Sequence, residues 1–288
     1  MYDALIGPFV EFEFMRRALV GAIVLSLGGA PIGVFLMLRR MSLMGDAMAH
    51  AILPGAAVGY LMFGLALLPL TVGGILAGFI VALGSGLIAR FTALKEDASL
   101  AAFYLISLAL GVIIVSMRGS NVDLFRVLFG TVLALDDPTL ILLGAITTVT
   151  LAALALFWRP LVLDCVDPGF LRSVSRSGAP AHFVFLGLVV LNLVAGFHAL
   201  GTLLAVGLMM LPAIAAKFWA RDLTSLVGCA VLIGMVSGYT GLVLSYNMAT
   251  PSGPSIVLMA GVIYVLSLVF GPRGGLVPTY WPARHREA

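Results

Sequence analysis

Two residues stand out where chemistry is least expected. In "MSLMGDAMAHAILPG", Met41–Gly55, Asp46 and His50 sit four apart among apolar and small side chains. On a helix that spacing puts both groups on one face. A carboxylate and an imidazole side by side offer an oxygen and a nitrogen donor to a divalent transition metal. The same two groups can also simply pair with each other or cap a neighbouring helix. Two ligands are fewer than a tight site needs, and a symmetric partner copy would supply two more.

The remaining donors are sparse. His198, in "GFHALGTLL", is the only other histidine in the apolar part of the chain and lies at a helix junction. It is a further candidate for the metal path, with a helix-end hydrogen bond as its plainer role. His182 and His285 fall in cytoplasmic segments and read as solvated, and Met44, Met48, Met209 and Met210 read as packing. The two cysteines, Cys165 and Cys229, have neither CxxC nor Cys/His spacing. No P-loop, HExxH or nucleophile–base constellation is present, so hydrolysis is not expected in this chain.

These residues must be positioned by membrane helices. The chain is 61% hydrophobic and 10% charged over 288 residues. Soluble domains are about 45–50% apolar and about 25% charged. Its mean hydropathy is +1.15, and apolar runs of about 20 residues match the bilayer core. Without strand alternation, the fold class is an all-α integral membrane protein, a polytopic bundle of eight or nine transmembrane helices. Nine spans are expected near 18–38, 42–64, 67–90, 98–117, 138–158, 181–198, 200–217, 223–246 and 254–271. Only Gly201 separates the sixth from the seventh, and merging them leaves eight. Residues 1–288 form one transmembrane domain in this reading. Asp3, Glu11 and Glu13 before the first span do not fit a signal peptide.

Charge sets the expected orientation. With the N-terminus outside and the C-terminus inside, most of the 16 Lys and Arg fall inside, leaving Arg16, Arg17, Arg118 and Arg126 outside. The net charge of +3 follows from these flanks and not from nucleic-acid binding. Of the 13 acids, Asp46 is the one placed within an expected span. Burying it costs about 2.5–3.5 kcal/mol on insertion scales, which marks it as functional. Pro54 and Pro212, in "LPGAA" and "LPAIAA", are expected to kink or break their helices. Two connections are long: Arg118–Pro138 outside, read as interfacial or re-entrant, and about 161–180 inside. In the second, Asp167-Pro168 reads as a helix start and Gly178/Pro180 as its end.

At "RRMSLMGDAMAHAILPGAAVGY" the sequence resembles the permease subunits of zinc/manganese ABC importers, the metal-specific ABC-3 family. "NVDLFRVLFG", "GTLLAVGLMMLPAIAA" and "TPSGPSIVLMAGVIYVLS" follow in the family's order. The resemblance implies a fold similar to vitamin B12 and siderophore importer permeases in a bacterial inner membrane. It implies two copies of this chain, two ATPase subunits that bind the ATP, and a solute-binding protein. No permanently bound cofactor is implied; zinc or manganese is cargo. Asp46 and His50 match the family's G-D-x-x-x-H motif. Asp167, Pro168, Phe170, Leu171 and Arg172 match its ATPase-coupling helix, with Phe170 and Leu171 expected to insert. Gly169, Leu171 and Ser175 depart from the family pattern there. "VDLF" and "GPSIVL" lean the cargo to zinc. The rivals are an ion-coupled secondary transporter using Asp46, an intramembrane metalloenzyme, and an ABC permease for a metal chelate.

Overall fold

The computed structural model describes residues 5–64, 66–93, 96–116, 135–167, 170 and 178–280. Among them all regular structure is helical. The order is α1 (Gly7–Glu11), α2 (Glu13–Leu38), α3 (Met44–Ala51), α4 (Leu53–Phe63), α5 (Leu67–Phe91) and α6 (Glu96–Ser116). It continues with α7 (Asp137–Val166), α8 (Gly178–Leu200), α9 (Thr202–Ala216), α10 (Leu223–Met248), α11 (Ser252–Phe270) and α12 (Leu276–Tyr280).

Among the described residues seven helices, α2, α5, α6, α7, α8, α10 and α11, are long and apolar enough to cross a membrane. The shorter apolar α9 and the broken pair α3–α4 stand where the other two spans are expected. Gly201 does separate α8 from α9: its φ of 88° is a conformation that costs glycine nothing. Pro54 opens α4 and marks the break after α3, whereas Pro212 lies inside α9 without ending it.

The apolar windows of α2 and α8 are 72% and 78% buried, against 22–39% for the other long helices. These two are therefore the interior posts, and the rest keep one face turned outward. Phe35 of α2 lies edge-on to Trp158 of α7 (5.6 Å) and Phe185 of α8 (6.3 Å). Deeper in the same junction, Asn192 Nδ2 of α8 donates to Thr150 Oγ1 and to the Leu188 carbonyl, both at 2.8 Å. Thr147 Oγ1 of α7 donates to the Val24 carbonyl of α2 at 3.2 Å. Such cross-helix bonds hold membrane helices together where water cannot drive association.

Close backbone approach does the rest. A Cβ on Gly33 of α2 would run into the Met209 carbonyl of α9. Gly55 of α4 and Gly73 of α5 face each other's carbonyls in the same way. Two helix starts are capped by a side chain outside the spans. The Asp136 carboxylate accepts from Thr139 and that of Asp222 from Ser225, and these hydrogen bonds hold both below the ordinary carboxylate range.

Two boundaries differ from expectation: α2 starts at Glu13, ahead of the expected 18, and the end of α7 lies further on. The seventh helix runs to Val166, well past the expected end near Trp158. Pro160 does not stop it, and its last turns carry Asp164, only 12% exposed, 2.7 Å from Arg39 Nη2 at the end of α2. An ion pair supplied by another helix lets α7 extend beyond its apolar stretch.

Packing at Gly33 sets a test. Gly33→Val should lower unfolding stability in detergent by on the order of 1–3 kcal/mol through overpacking. Gly144→Ala, where nothing lies within 4 Å of the new Cβ, should be neutral or gain roughly 0.5–1 kcal/mol. Equal loss in both variants would contradict the backbone contact.

Candidate metal centre

The turn before α3 is tightly built. Arg39 caps α2, Arg40 takes a left-handed φ of 60°, and Met41 follows. The Met41 N–H reaches the Leu36 carbonyl at 2.9 Å and the Arg40 N–H reaches that of Met37 at 3.1 Å. This paired closure usually places glycine at the left-handed position, which arginine fills here. Met44 then donates back to Met41 at 3.0 Å, and α3 begins.

Helix α3 is two-faced. Met44, Met48 and Ala51 are buried, as is Ile52 just after it. Gly45 lets α3 lie against the Met209 side chain, whose terminal carbon would be 2.8 Å from a Cβ there. The opposite face carries Asp46 and His50. The Asp46 side chain is 70% exposed and that of His50 32%. Nε2 of His50 lies 3.8 Å from Oδ1 of Asp46, too far for a hydrogen bond. The His50 ring sits 6.1 Å from that of Tyr104 on α6. Its Nδ1 is enclosed and has no hydrogen-bond partner among the described residues.

The break beyond His50 is supported from three sides. Pro54 has no N–H to return to the His50 carbonyl. Ser107 Oγ of α6 donates to the Ala51 carbonyl at 2.8 Å, the kind of side-chain bond that satisfies backbone at a membrane helix break. Ile52 fills the space left by Gly74 and Gly78 of α5. Gly74 and Gly78, four residues apart on α5, are thus the seat of the break.

Chemically the pair can share an ion. Nitrogen and oxygen ligands at about 2.0–2.2 Å from a metal lie roughly 3–3.5 Å from each other. A modest side-chain rotation closes the observed 3.8 Å. Among the described residues no group of three or more His, Cys, Asp or Glu could hold a metal. Asp46 and His50 are thus two donors on one face of α3, turned away from the chain's own core.

Comparison with known proteins supplies the family. Residues 11–271 match the ABC 3 transport family. The chain belongs to that family. The ABC 3 chain is 32% identical to the manganese transport system membrane protein MntC of Halalkalibacterium halodurans, over 96% of this chain and 94% of that one. It is 30% identical to the manganese import system permease protein ScaB of Streptococcus parasanguinis, over 95% and 96%. A probable iron transport system membrane protein of Haemophilus influenzae is 29% identical over 94% and 98%. Among solved structures, PsaBC from Streptococcus pneumoniae in complex with Fab superposes with a TM-score of 0.84 at 28% identity, covering 97% of this chain and all of that one. An inward-facing ABC transporter described as of metal-chelate type shares the fold, with a TM-score of 0.66 at 17% identity over 88% and 85%.

Elsewhere in this ABC 3 chain the expected residues separate. His198 stays apart from the Asp46–His50 pair: its Nδ1 is 2.9 Å from the Val194 carbonyl, which leaves Nε2 a buried acceptor without a partner among the described residues. His182 is not merely solvated, because its Nδ1 lies 3.1 Å from Arg39 Nη1. Asp167 accepts from the Phe170 N–H at 2.9 Å, the expected capping geometry, and Phe170 is 53% exposed. Pro168, Leu171 and Arg172 lie outside the described residues, as does the Arg118–Pro138 connection up to Ala134. The Arg39–Asp164 pair is missed when Arg39 is read only as a flanking charge. Asp164, alone in "LVLDCV", is the available signal. Nothing in the sequence marks Tyr104 or Ser107.

Removing the support tests the break. Ser107→Ala leaves the Ala51 carbonyl without its buried donor and should cost about 1–3 kcal/mol, read as a lower unfolding midpoint in detergent. An unchanged midpoint would mean that the bond does not hold the break.

Proposed function

We propose that this chain is the membrane-spanning subunit of an ATP-driven importer for a divalent transition metal, with manganese as the cargo. The observation that carries this reading is the Asp46–His50 pair, held on one face of a short broken helix and turned away from the chain's own core. A carboxylate this exposed on a membrane helix needs water, an ion or a partner beside it. A second copy presenting the same face would complete a shell of two oxygens and two nitrogens. Two protein ligands per copy hold an ion loosely, as suits a carrier that must release it.

The lean to zinc is not kept. The relatives named above are named for manganese or iron, and an oxygen–nitrogen donor set does not favour zinc by chemistry. Family membership favours ATP over an ion gradient as the energy source. Hydrolysis belongs to a separate ATPase pair, and a solute-binding protein delivers the metal from outside. The Asp167–Arg172 segment, with Pro168, Phe170 and Leu171, docks on the ATPase, supported by the exposed Phe170 and its capped start. The N-terminus is outside and the C-terminus in the cytoplasm, supported by the Lys/Arg distribution.

The test is uptake in proteoliposomes containing this chain, its ATPase and its binding protein, with manganese and zinc compared. Manganese should accumulate with ATP. Asp46→Ala and His50→Ala should each lose at least the roughly 10–100-fold that removing even an outer-sphere partner costs a metal site, in complexes that still assemble. Wild-type uptake of zinc but not manganese would overturn the cargo. Full uptake in the double variant would move the pathway away from this pair.

A further inference from the structure

Resting on that reading, the structure assigns Arg39 a positioning role: we infer that its guanidinium is the joint that ties both ends of the ATPase-facing connection to the helix carrying Asp46 and His50. Three observations meet at this one side chain.

First, Arg39 is 6% exposed and forks between two helices. Nη2 lies 2.7 Å from Asp164 Oδ2 in the last turns of α7. Nη1 lies 3.1 Å from His182 Nδ1 in the first turns of α8. A guanidinium only donates, so the imidazole accepts through Nδ1. Asp164 and His182 flank the α7–α8 connection, one just before Asp167 and the other just after Pro180. The guanidinium also stacks on Phe185 of α8, 4.1 Å from the ring centre.

Second, Arg39 is covalently close to the metal-binding face. Only Arg40 to Leu43 separate it from α3, and that turn is closed by its own backbone bonds. Met41 and Met44 on either side are buried. A turn so fixed has little slack, so displacement of Arg39 carries α3 with it.

Third, the joint is not optimised for stability alone. The Asp164 contact is a charge contact and not an aligned hydrogen bond, and Nε of Arg39 has no acceptor among the described residues. A buried pair is often replaceable by apolar packing without loss of stability. What apolar packing lacks is the two-pronged, directional hold of arginine's planar fork.

Lysine separates the two roles. Arg39→Lys keeps the charge opposite Asp164 but cannot grip two partners in fixed geometry. His182→Ala removes one prong and leaves the ion pair. The experiment uses the full complex in proteoliposomes and reads manganese moved per ATP hydrolysed, with unfolding midpoints measured alongside. Wild type must first show ATP-dependent manganese uptake; if it does not, the functional reading fails and this inference falls with it. With uptake established, both variants should assemble and hydrolyse ATP yet move at least about fivefold less metal per ATP, within the usual range of coupling between sites. A wild-type ratio in either folded variant would overturn the joint while leaving the functional reading intact. Should Arg39→Lys fail to fold, His182→Ala decides alone.

Discussion

A carboxylate in a membrane helix cannot face hydrocarbon, and the placement of Asp46 governs much of what surrounds it. Helix α3 must be short, must bury one face completely, and must leave the other to water or a partner. The neighbours meet these demands by backbone proximity. Gly45 admits the Met209 side chain, Gly33 admits the Met209 carbonyl, and Gly74 and Gly78 admit Ile52. Bulkier residues would push α3 off α9 at Gly45, push Ile52 off α5 at Gly74 and Gly78, and separate α2 from α9 at Gly33, and so change where the acid points. Glycine is common in membrane bundles; here Gly45 lies in α3 itself, Gly74 and Gly78 take the Ile52 side chain just after it, and Gly33 brings α2 against the same Met209.

Much of this is legible in the sequence, for physical reasons that also mark the limits. Hydropathy locates helices because the bilayer core demands uninterrupted apolar length, so all seven long spans are anticipated within a few residues at most ends. Gly201 and Pro54 are legible as breaks because each changes what the backbone can do locally. The end of α7 is not legible, because it depends on Arg39, distant in sequence, neutralising Asp164. Pro212 does not break its helix: a proline within a packed helix need not end it when neighbouring helices hold both sides.

The candidate site divides in the same way. Its two candidate donors are readable because their spacing and their cost in lipid are local properties. Their surroundings are not, since Tyr104 and Ser107 arrive from α6 through tertiary packing. His198 is readable as a donor, but its hydrogen bond to Val194 and its separation from the pair require the fold. Cargo identity is the least legible. One oxygen and one nitrogen per chain suit several divalent metals, and the choice of manganese comes from relatives and not from donor chemistry.

Direct observation of the ion's ligands bears most closely on the central claim. Electron spin-echo measurements on manganese bound to the permease report whether imidazole nitrogen is coordinated. Nitrogen modulation in the wild type that disappears in His50→Ala is the predicted result. Bound manganese showing the same nitrogen signal in that variant, or none in either protein, would place the ion elsewhere and contradict the account.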